Sequence, residues 1–174
     1  WTHHSQEGGG IAFHPHESRY VLAKTNATLE IWDHGEIKPT RTLSGHRKAV
    51  GSEAAQRTVN WLTFHPQGKQ LAAGLGDGTI CTWNPDTGKY LRSWKGHDSP
   101  IQSLAYSPDG TRLASISSED KTLKIWNTHT AKIVRSIPFI PYSFSLSWNK
   151  DGTRIVSGTS DFQSIVIDIT SGKT

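Results

Sequence analysis

The sequence predicts an all-β protein assembled from about four copies of one four-stranded unit. Three short runs that end near a tryptophan recur along the chain as TLEIWD, TICTWN and TLKIWN, and a fourth run, SIVIDI, carries Ile167 at the tryptophan position. Apolar and polar residues alternate in these runs, and Gly, Pro, Asp and Asn cluster between them, which is typical of strands joined by tight turns. No apolar stripe with the 3.6-residue helical period extends over the length of a helix.

Each copy of the unit has its elements in the same order. An apolar-alternating run that ends in a turn comes first, as IAFHPHES, WLTFHPQG, LAYSPDG and LSWNKDG. A second strand-like run follows, as YVLAKT, QLAAGL, RLASIS and RIVSGT, and the tryptophan-type run comes third. A further strand-like run, KYLRSW in the second copy, comes fourth. Equivalent tryptophan positions lie 51, 43 and 41 residues apart, so we expect one four-stranded sheet per repeat.

Composition narrows the class of protein. The chain has 174 residues, of which 20% are charged and 34% apolar, with seven tryptophans, so it is long enough to bury a core and is not a disordered polyelectrolyte. No apolar run approaches the ~20 residues that a membrane-spanning helix needs. The single cysteine, Cys81, excludes a disulfide framework and favours an intracellular location, cytoplasmic or nuclear. Because the chain starts at Trp1 and contains no methionine, we expect a processed form or part of a longer protein.

The repeats resemble the WD repeats of a β-propeller, because a Gly-His pair, an SPDG-type turn, an Asp and a Trp-Asp or Trp-Asn dipeptide recur in order about every 40 residues. The resemblance covers nearly the whole chain from Ile11 onward. It implies one propeller segment, 1–174, with about four blades that are four-stranded antiparallel sheets. The approximate repeats are 8–46, 47–97, 98–138 and 139–174.

The resemblance further implies that the blades form an incomplete or oligomer-closed ring. Nothing after SIVIDITSGKT supplies an outer strand for the fourth blade, and in this family the amino terminus commonly supplies it. Three arrangements remain open: an excised half of a larger propeller, an eight-bladed ring formed by two arcs, and a fragment of a longer chain. In an open arc, apolar blade faces would be exposed at both ends.

In WD repeats a His, a Ser or Thr, an Asp and the Trp form a hydrogen-bonded structural tetrad, and the resemblance implies the same here. The third repeat has the full set, His97, Ser115, Asp120 and Trp126. The second repeat has His46, Asp77 and Trp83, with Ala73 at the hydroxyl position. The fourth keeps Ser157 and Asp161, and the first keeps Asn26 and Trp32. Since an orphaned buried polar group costs ~1–3 kcal/mol, we expect the third blade to be the most rigid.

The sequence contains residues that could form a hydrolytic triad or a metal site, but their positions favour structural roles. Ser, His and Asp can form a hydrolytic triad, but here they occupy the tetrad positions, so no catalytic residue is expected. The histidines near the amino end are interpreted as surface turn residues, so neither a metal nor a cofactor is expected. They are His3, His4, His14, His16 and His34. Glu119 is one residue extra before Asp120 and is interpreted as a bulge.

Function is therefore expected on the loops, since a fold alone does not specify it. The resemblance implies that partners bind the face that carries the Gly-His loops and the Asp turns. The candidate partner-binding residues are Arg47, Lys48, Arg57, Thr58, Asn60, Gln102, Glu119, Tyr142 and Phe144. Two segments depart from the repeat pattern: 47–58 is longer than its counterpart, and PFIPYSF replaces a Gly-His loop with aromatic residues. These aromatics either bind a partner or fill the blade that has lost its tetrad.

The pattern as a whole predicts a non-catalytic scaffold for protein–protein interaction, as a subunit or domain of a larger assembly. Its partner would be a protein or peptide, a second copy of the chain, or the remaining blades of the same propeller. The alternative is a propeller that binds RNA or a phosphorylated ligand through basic loop residues. Nucleic acid is disfavoured because Lys and Arg are scattered and no aromatic residues alternate with them for base stacking. No membrane contact is expected.

Overall fold

The computed structural model describes residues 10–24, 28–45, 58–138 and 143–173. Within these ranges every regular element is a β-strand, and the strands form four antiparallel sheets, which confirms the all-β prediction. No helix in the described ranges is long and apolar enough to cross a membrane.

The four sheets follow one another along the chain. Sheet 1 comprises β1 (Ile11–Phe13), β2 (Arg19–Ala23), β3 (Leu29–Asp33) and β4 (Arg41–Leu43). Sheet 2 comprises β5 (Val59–Phe64), β6 (Leu71–Leu75), β7 (Thr79–Trp83) and β8 (Tyr90–Lys95). Sheet 3 comprises β9 (Ser103–Tyr106), β10 (Arg112–Ser117), β11 (Thr122–Asn127) and β12 (Ile133–Pro138). Sheet 4 comprises β13 (Ser143–Trp148), β14 (Arg154–Thr159) and β15 (Ser164–Asp168).

Each sheet is a meander in which neighbouring strands of the sequence pair with one another. The first strands of adjacent sheets contact one another, β1 with β5, β5 with β9 and β9 with β13, and are therefore the innermost strands. In the part of the chain that the structure describes, the sheets stand in a row that does not close into a ring. Because the strands are antiparallel, the turns between first and second strands lie at the same end as those between third and fourth strands. We call this the turn end, and the opposite end, which carries the Asp turns, the loop end.

Three apolar clusters fill the spaces between adjacent sheets. One contains Val21, Ile31 and Trp83 between sheets 1 and 2, and another contains Ile80, Leu104 and Trp126 between sheets 2 and 3. The third lies between sheets 3 and 4. Sheets 2 and 3 are covered on both faces, so every residue of β6 and β7 is buried. A fully buried Leu or Ile side chain contributes about 1.5–3 kcal/mol, so this packing is the main source of stability.

The two end sheets each present one uncovered apolar face. In sheet 1 the side chains of Ile11 and Phe13 are exposed, Phe13 by 71%. In sheet 4, Val156 and Val166 are exposed on the face that points away from sheet 3. The row of sheets therefore has the exposed end faces that an open arc is expected to have.

A repeated arginine contact ties the outer edges of adjacent sheets together, and the sequence patterns did not predict it. Arg41 of β4 donates to the carbonyl of Thr87 at 3.2 Å, and Arg92 of β8 donates to the carbonyl of His129 at 2.7 Å. Arg135 of β12 makes the same kind of bond to Thr170. In each case the arginine reaches the turn that follows the third strand of the next sheet, so the contact fixes how neighbouring sheets are aligned.

The interpretation of His14 as a surface turn residue is wrong. Its side chain is buried, and its Nδ1 accepts hydrogen bonds from the amides of His16 and Glu17. The ring lies so close to Gly68 of the next sheet that a Cβ there would be 2.0 Å from Nε2. His65 makes the same approach to Gly110, where the distance would be 2.1 Å. Both histidines therefore pack one sheet against the turn of the next.

Candidate functional site

The structure brings the four tetrad residues of the third repeat together in sheet 3. Trp126 Nε1 lies 2.8 Å from Ser115 Oγ, Ser115 Oγ lies 2.7 Å from His97 Nε2, and His97 Nδ1 lies 2.8 Å from Asp120 Oδ2. Ser115 and His97 are buried, and Trp126 is nearly so. The chain of bonds thus links β11, β10, the loop before β9 and the turn between β10 and β11.

Donor and acceptor chemistry assigns the direction of this chain. The indole N–H of Trp126 can only donate, and the carboxylate of Asp120 can only accept. Ser115 therefore accepts from Trp126 and donates to Nε2 of His97, whose Nδ1–H donates to Asp120. Every group is satisfied when the imidazole of His97 is neutral. The pKa of His97 agrees with this assignment: burial lowers it, and this effect outweighs the nearby carboxylate of Asp120, which raises it.

Asp120 closes the chain at the loop end of sheet 3. Its Oδ1 accepts hydrogen bonds from the amide of Thr122 at 3.1 Å and from the Thr122 hydroxyl at 2.7 Å. Burial alone would raise the pKa of Asp120, but the bonds from Thr122 and His97 outweigh it and hold the pKa below its usual value. The carboxylate therefore stays ionised while it fixes the turn.

These two pKa shifts predict that acid destabilises the chain. His97, with a lowered pKa in the folded state, takes up a proton on unfolding below about pH 6.5, so the free energy of unfolding falls as the pH drops through that value. Asp120, also lowered, adds stability that is lost only as the pH falls below about 4. Urea unfolding at pH 7.5 and 5.5 should give lower stability at pH 5.5, and a His97→Gln variant should show a smaller difference. Higher stability at pH 5.5 would instead show that His97 is protonated and paired with Asp120.

The other described sheets hold parts of the tetrad but not the complete chain. In sheet 2, Trp83 Nε1 donates to the carbonyl of Ser44 at 2.9 Å, and Asp77 accepts from the amide of Thr79 at 2.9 Å. In sheet 4, Ser157 donates to the carbonyl of Ser145 at 2.8 Å. In sheet 1, Trp32 Nε1 lies 3.2 Å from Glu30 Oε2. His46 and Asn26 lie outside the described residues.

Ser115, His97 and Asp120 have the atoms of a hydrolytic triad but not its accessibility. Ser115 has no exposed surface, and its oxygen already accepts a hydrogen bond from Trp126. A nucleophile must reach its substrate within a few ångströms, so this serine is not placed for attack. Within the described ranges, no group of three or more His, Cys, Asp or Glu side chains could hold a metal ion.

The loop end presents several of the predicted partner-binding residues. Thr58, Asn60, Glu119 and Phe144 are exposed there, Phe144 by 60%. Gln102 is half-buried, and its Oε1 accepts a hydrogen bond from the amide of Ser118 at 2.7 Å. Arg47, Lys48, Arg57 and Tyr142 lie outside the described residues.

Glu119 lies in a turn, and the bulge interpretation is wrong. The register of β10 and β11 runs without a shift from Arg112 and Asn127 to Ser117 and Thr122. The extra residue is accommodated in the turn at 118–121, where Lys121 has a φ of 56°. A longer turn absorbs the extra residue without disturbing the ladder.

Phe162 is an exposed aromatic residue at the loop end that was not among the candidates. It is fully exposed and has a φ of 63° in the turn between β14 and β15. Gly78 and Lys121 hold the aligned positions in sheets 2 and 3, both with positive φ. The sequence did contain an indication of this residue. Phe162 directly follows Asp161, at the position where the second repeat has Gly78, and glycine is the residue type that this backbone conformation favours.

The innermost strands of all four sheets line a cavity of about 470 Å³. Its walls include Phe13, Trp61, Tyr106 and Trp148. The cavity runs between the sheets and is separate from the tetrad, whose four residues are not part of its lining. Its aromatic walls suit apolar contact more than bond-making chemistry.

Comparison with known proteins gives one family. The family described as "WD domain, G-beta repeat" matches residues 37–84 and 88–127, which is half of the chain. The serine-threonine kinase receptor-associated protein of Homo sapiens is 27% identical over 146 residues, covering 67% of this chain and 41% of that protein. The protein of the same name from Gallus gallus is 40% identical over 118 residues, covering 64% and 33%.

A coronin-like protein of Saccharomyces cerevisiae is 36% identical over 104 residues, covering 59% of this chain and 14% of that protein. The matched part of the chain thus spans at most about two fifths of the length of these relatives.

Proposed function

The chain belongs to the WD40 repeat family, and on this basis we propose that it is a non-catalytic scaffold for protein–protein interaction. It would act as a domain or subunit of a larger assembly and bind a protein or peptide through the loop end of its sheets. Binding would use preformed loops with little backbone movement, because each loop is joined at both ends to strands of hydrogen-bonded antiparallel sheets.

The exposure of Phe162 is the observation that carries this proposal. An aromatic side chain in the left-handed region costs of order 1–3 kcal/mol, and this one recovers nothing by packing because it is fully exposed. Phe144 is a second exposed aromatic residue at the loop end of sheet 4. The positions aligned with it in sheets 2 and 3 hold the polar residues Asn60 and Gln102. Aromatic residues are enriched among the contacts that dominate binding energy.

Polar neighbours complete the proposed surface. Thr58 donates to Asn60 Oδ1 at 3.1 Å, and Asn60 in turn donates to the carbonyl of Ile101 at 3.3 Å, so the exposed amide is held in place. Glu119 adds a carboxylate from the turn of sheet 3. Protein interfaces commonly combine aromatic contacts with polar groups of this kind. The names of the human and chicken relatives describe them as receptor-associated, which supports protein binding as the activity.

Substitution of the two phenylalanines by their repeat counterparts tests the proposal. Phe162→Lys and Phe144→Gln introduce the residues that sheet 3 has at these positions. Partners would be captured with the wild-type chain from cells that produce it, and their affinities measured for each variant. Loss of a dominant aromatic contact should weaken binding about 30-fold, which corresponds to ~2 kcal/mol.

Val134→Thr is the matched control, because Val134 is apolar and as exposed as Phe144 but lies on the outer strand β12. It should keep the wild-type affinity. All three variants, Phe162→Lys included, should keep the thermal stability of the wild type. Unchanged affinity in both phenylalanine variants would remove the loop end of sheet 4 from the interface.

A further inference from the structure

We propose that the cleft between sheets 2 and 3 at the turn end binds an oxyanion, the carboxylate or phosphate of an acidic side chain, through Arg92 and Lys69. This site goes beyond the proposed function, since it lies at the opposite end of the sheets from the loops. The two proposals can fail independently.

The cleft is a cavity of about 290 Å³ built from three turns and one outer strand. Lys69 and Gln70 come from the turn before β6, Asp109 from the turn before β10, and His129 from the turn before β12. Arg92 of β8 also lines it. The buried Tyr106 donates its hydroxyl to Gln70 Oε1 at 2.9 Å, which fixes the side chain of Gln70. The cavity is large enough for a phosphate or carboxylate group together with the side chain that carries it.

The cleft exists because one repeat lacks an arginine that the others have. Arg19, Arg112 and Arg154 open the second strands of sheets 1, 3 and 4, whereas Gln70 holds the aligned position before Leu71. Between sheets 3 and 4, Arg112 donates to the carbonyl of Gly152 at 2.8 Å and lies 5.0 Å from the ring of Trp148. The shorter, neutral side chain of Gln70 leaves the corresponding space between sheets 2 and 3 open.

The acidic groups found in the neighbouring cleft are also replaced. Between sheets 1 and 2, Arg19 pairs with Asp33 at 2.7 Å, with Asp86 at 3.2 Å and with Glu17 at 3.3 Å. The aligned positions around the cleft between sheets 2 and 3 are Asn84, His129 and Gly68. Three carboxylates are thus exchanged for groups without negative charge. Among the residues that the structure describes, no ion pair involves Arg92 or Lys69.

The one acidic residue that lines the cleft is engaged by its own turn. The carboxylate of Asp109 accepts hydrogen bonds from the hydroxyls of Ser107 and Thr111 and from the amide of Thr111. These bonds, led by the one from Ser107, lower the pKa of Asp109. His65 presents no charge, because its Nδ1 accepts from the amide of Gln67 and its Nε2 donates to the carbonyl of Gly110. Arg92 and Lys69 therefore remain as the cationic groups.

Arg92 is positioned in advance for such a ligand. One of its nitrogens donates to the carbonyl of His129 at 2.7 Å, which anchors the guanidinium at the cleft wall. A guanidinium has five N–H donors in a planar fork that matches an oxyanion, so donors remain after this bond. Because the arginine is half-buried, its interaction with an oxyanion is screened less than that of a fully exposed cation.

NMR titration of the ¹⁵N-labelled 174-residue chain tests the site with three probes at constant ionic strength. The probes are blocked phosphoserine, blocked glutamate and inorganic phosphate. We expect saturable shifts confined to the amides of Thr111 and His129 and to Arg92 Nε, and the comparison of phosphoserine with glutamate identifies which oxyanion is preferred. Arg92→Gln should weaken binding about tenfold or more, as expected for one charge-assisted bond. Absence of saturable shifts with all three probes would overturn the proposal.

Two further variants separate a built cleft from general attraction to positive charge. Gln70→Arg adds a positive charge but introduces the arginine that closes the neighbouring clefts, so it should weaken binding at least tenfold. Lys150→Gln removes an exposed cation at the same end of the sheets, outside the cleft, and should leave binding unchanged. Tighter binding by Gln70→Arg, or equal losses in Lys150→Gln and Arg92→Gln, would show that the site is not the cleft. Unchanged amide spectra of the unliganded variants establish that each is folded.

Discussion

The Gly78→Ala substitution is expected to lower the free energy of unfolding by about 3 kcal/mol or more. Gly78 has a φ of 81°, in the left-handed region, and a Cβ there would be 2.0 Å from the carbonyl oxygen of His97 and 2.8 Å from that of Ser99. Both obstacles are backbone atoms, which cannot rotate away. The amides of Gly96 and His97 donate to the carbonyl of Gly78, so any movement that relieves the clash also displaces the loop that carries His97.

Gly35→Ala is the control for the backbone conformation alone. Gly35 has a φ of 89°, but no atom lies within 4 Å of the position that its Cβ would take. Its substitution should cost only the conformational penalty, about 1 kcal/mol. Urea unfolding monitored by tryptophan fluorescence gives both values. Equal losses in the two variants would mean that the loop before β9 does not lie against Gly78.

The His97→Ala substitution is expected to lower the free energy of unfolding by about 3 kcal/mol. It removes the bonds to Ser115 and Asp120, leaves the buried hydroxyl of Ser115 without its acceptor, and opens a cavity where the ring was. His65→Ala is the comparison, because His65 is less buried than His97 and its two bonds go to backbone groups, the amide of Gln67 and the carbonyl of Gly110. It should cost less than half as much. A His97→Ala variant as stable as the wild type would contradict a structural role for this residue.

Local pattern was sufficient to predict the strands and the order of elements in each sheet. Alternation in RLASIS and TLKIWN specifies which residues share a face, and the turn residues between them specify where the chain reverses. The resemblance to WD repeats also identified His97, Ser115, Asp120 and Trp126, which the structure brings into one chain of bonds. Here residues distant in sequence become neighbours because each repeat folds as a unit.

Contacts between sheets could not be predicted in the same way. The bond from Arg92 to His129 depends on how far apart two sheets pack, which no single repeat encodes. The burial of His14 has the same cause, since it is the turn of the following sheet that covers the ring. The exchange of arginine for Gln70 is visible in the aligned repeats, but its consequence, an open cleft, follows only once Arg112 is seen to fill the equivalent space.

The two end sheets leave apolar side chains exposed. Phe13 on sheet 1 and Val166 on sheet 4 are exposed on faces that in sheets 2 and 3 are covered by a neighbour. The relatives are longer than this chain, which spans at most about two fifths of the human receptor-associated protein in the matched region. We therefore propose that further blades or a second copy of the chain cover these faces in the assembled protein.

A double-mutant cycle between His97 and Trp126 tests most directly whether the buried chain of bonds holds sheet 3 together. Trp126→Phe removes the indole N–H together with part of the ring volume, while His97→Ala removes the other bond to Ser115. If the four side chains act as one unit, the double variant should lose about 1–3 kcal/mol less than the two single variants combined. Losses that simply add, or single variants that unfold like the wild type, would show that these residues do not form a structural unit.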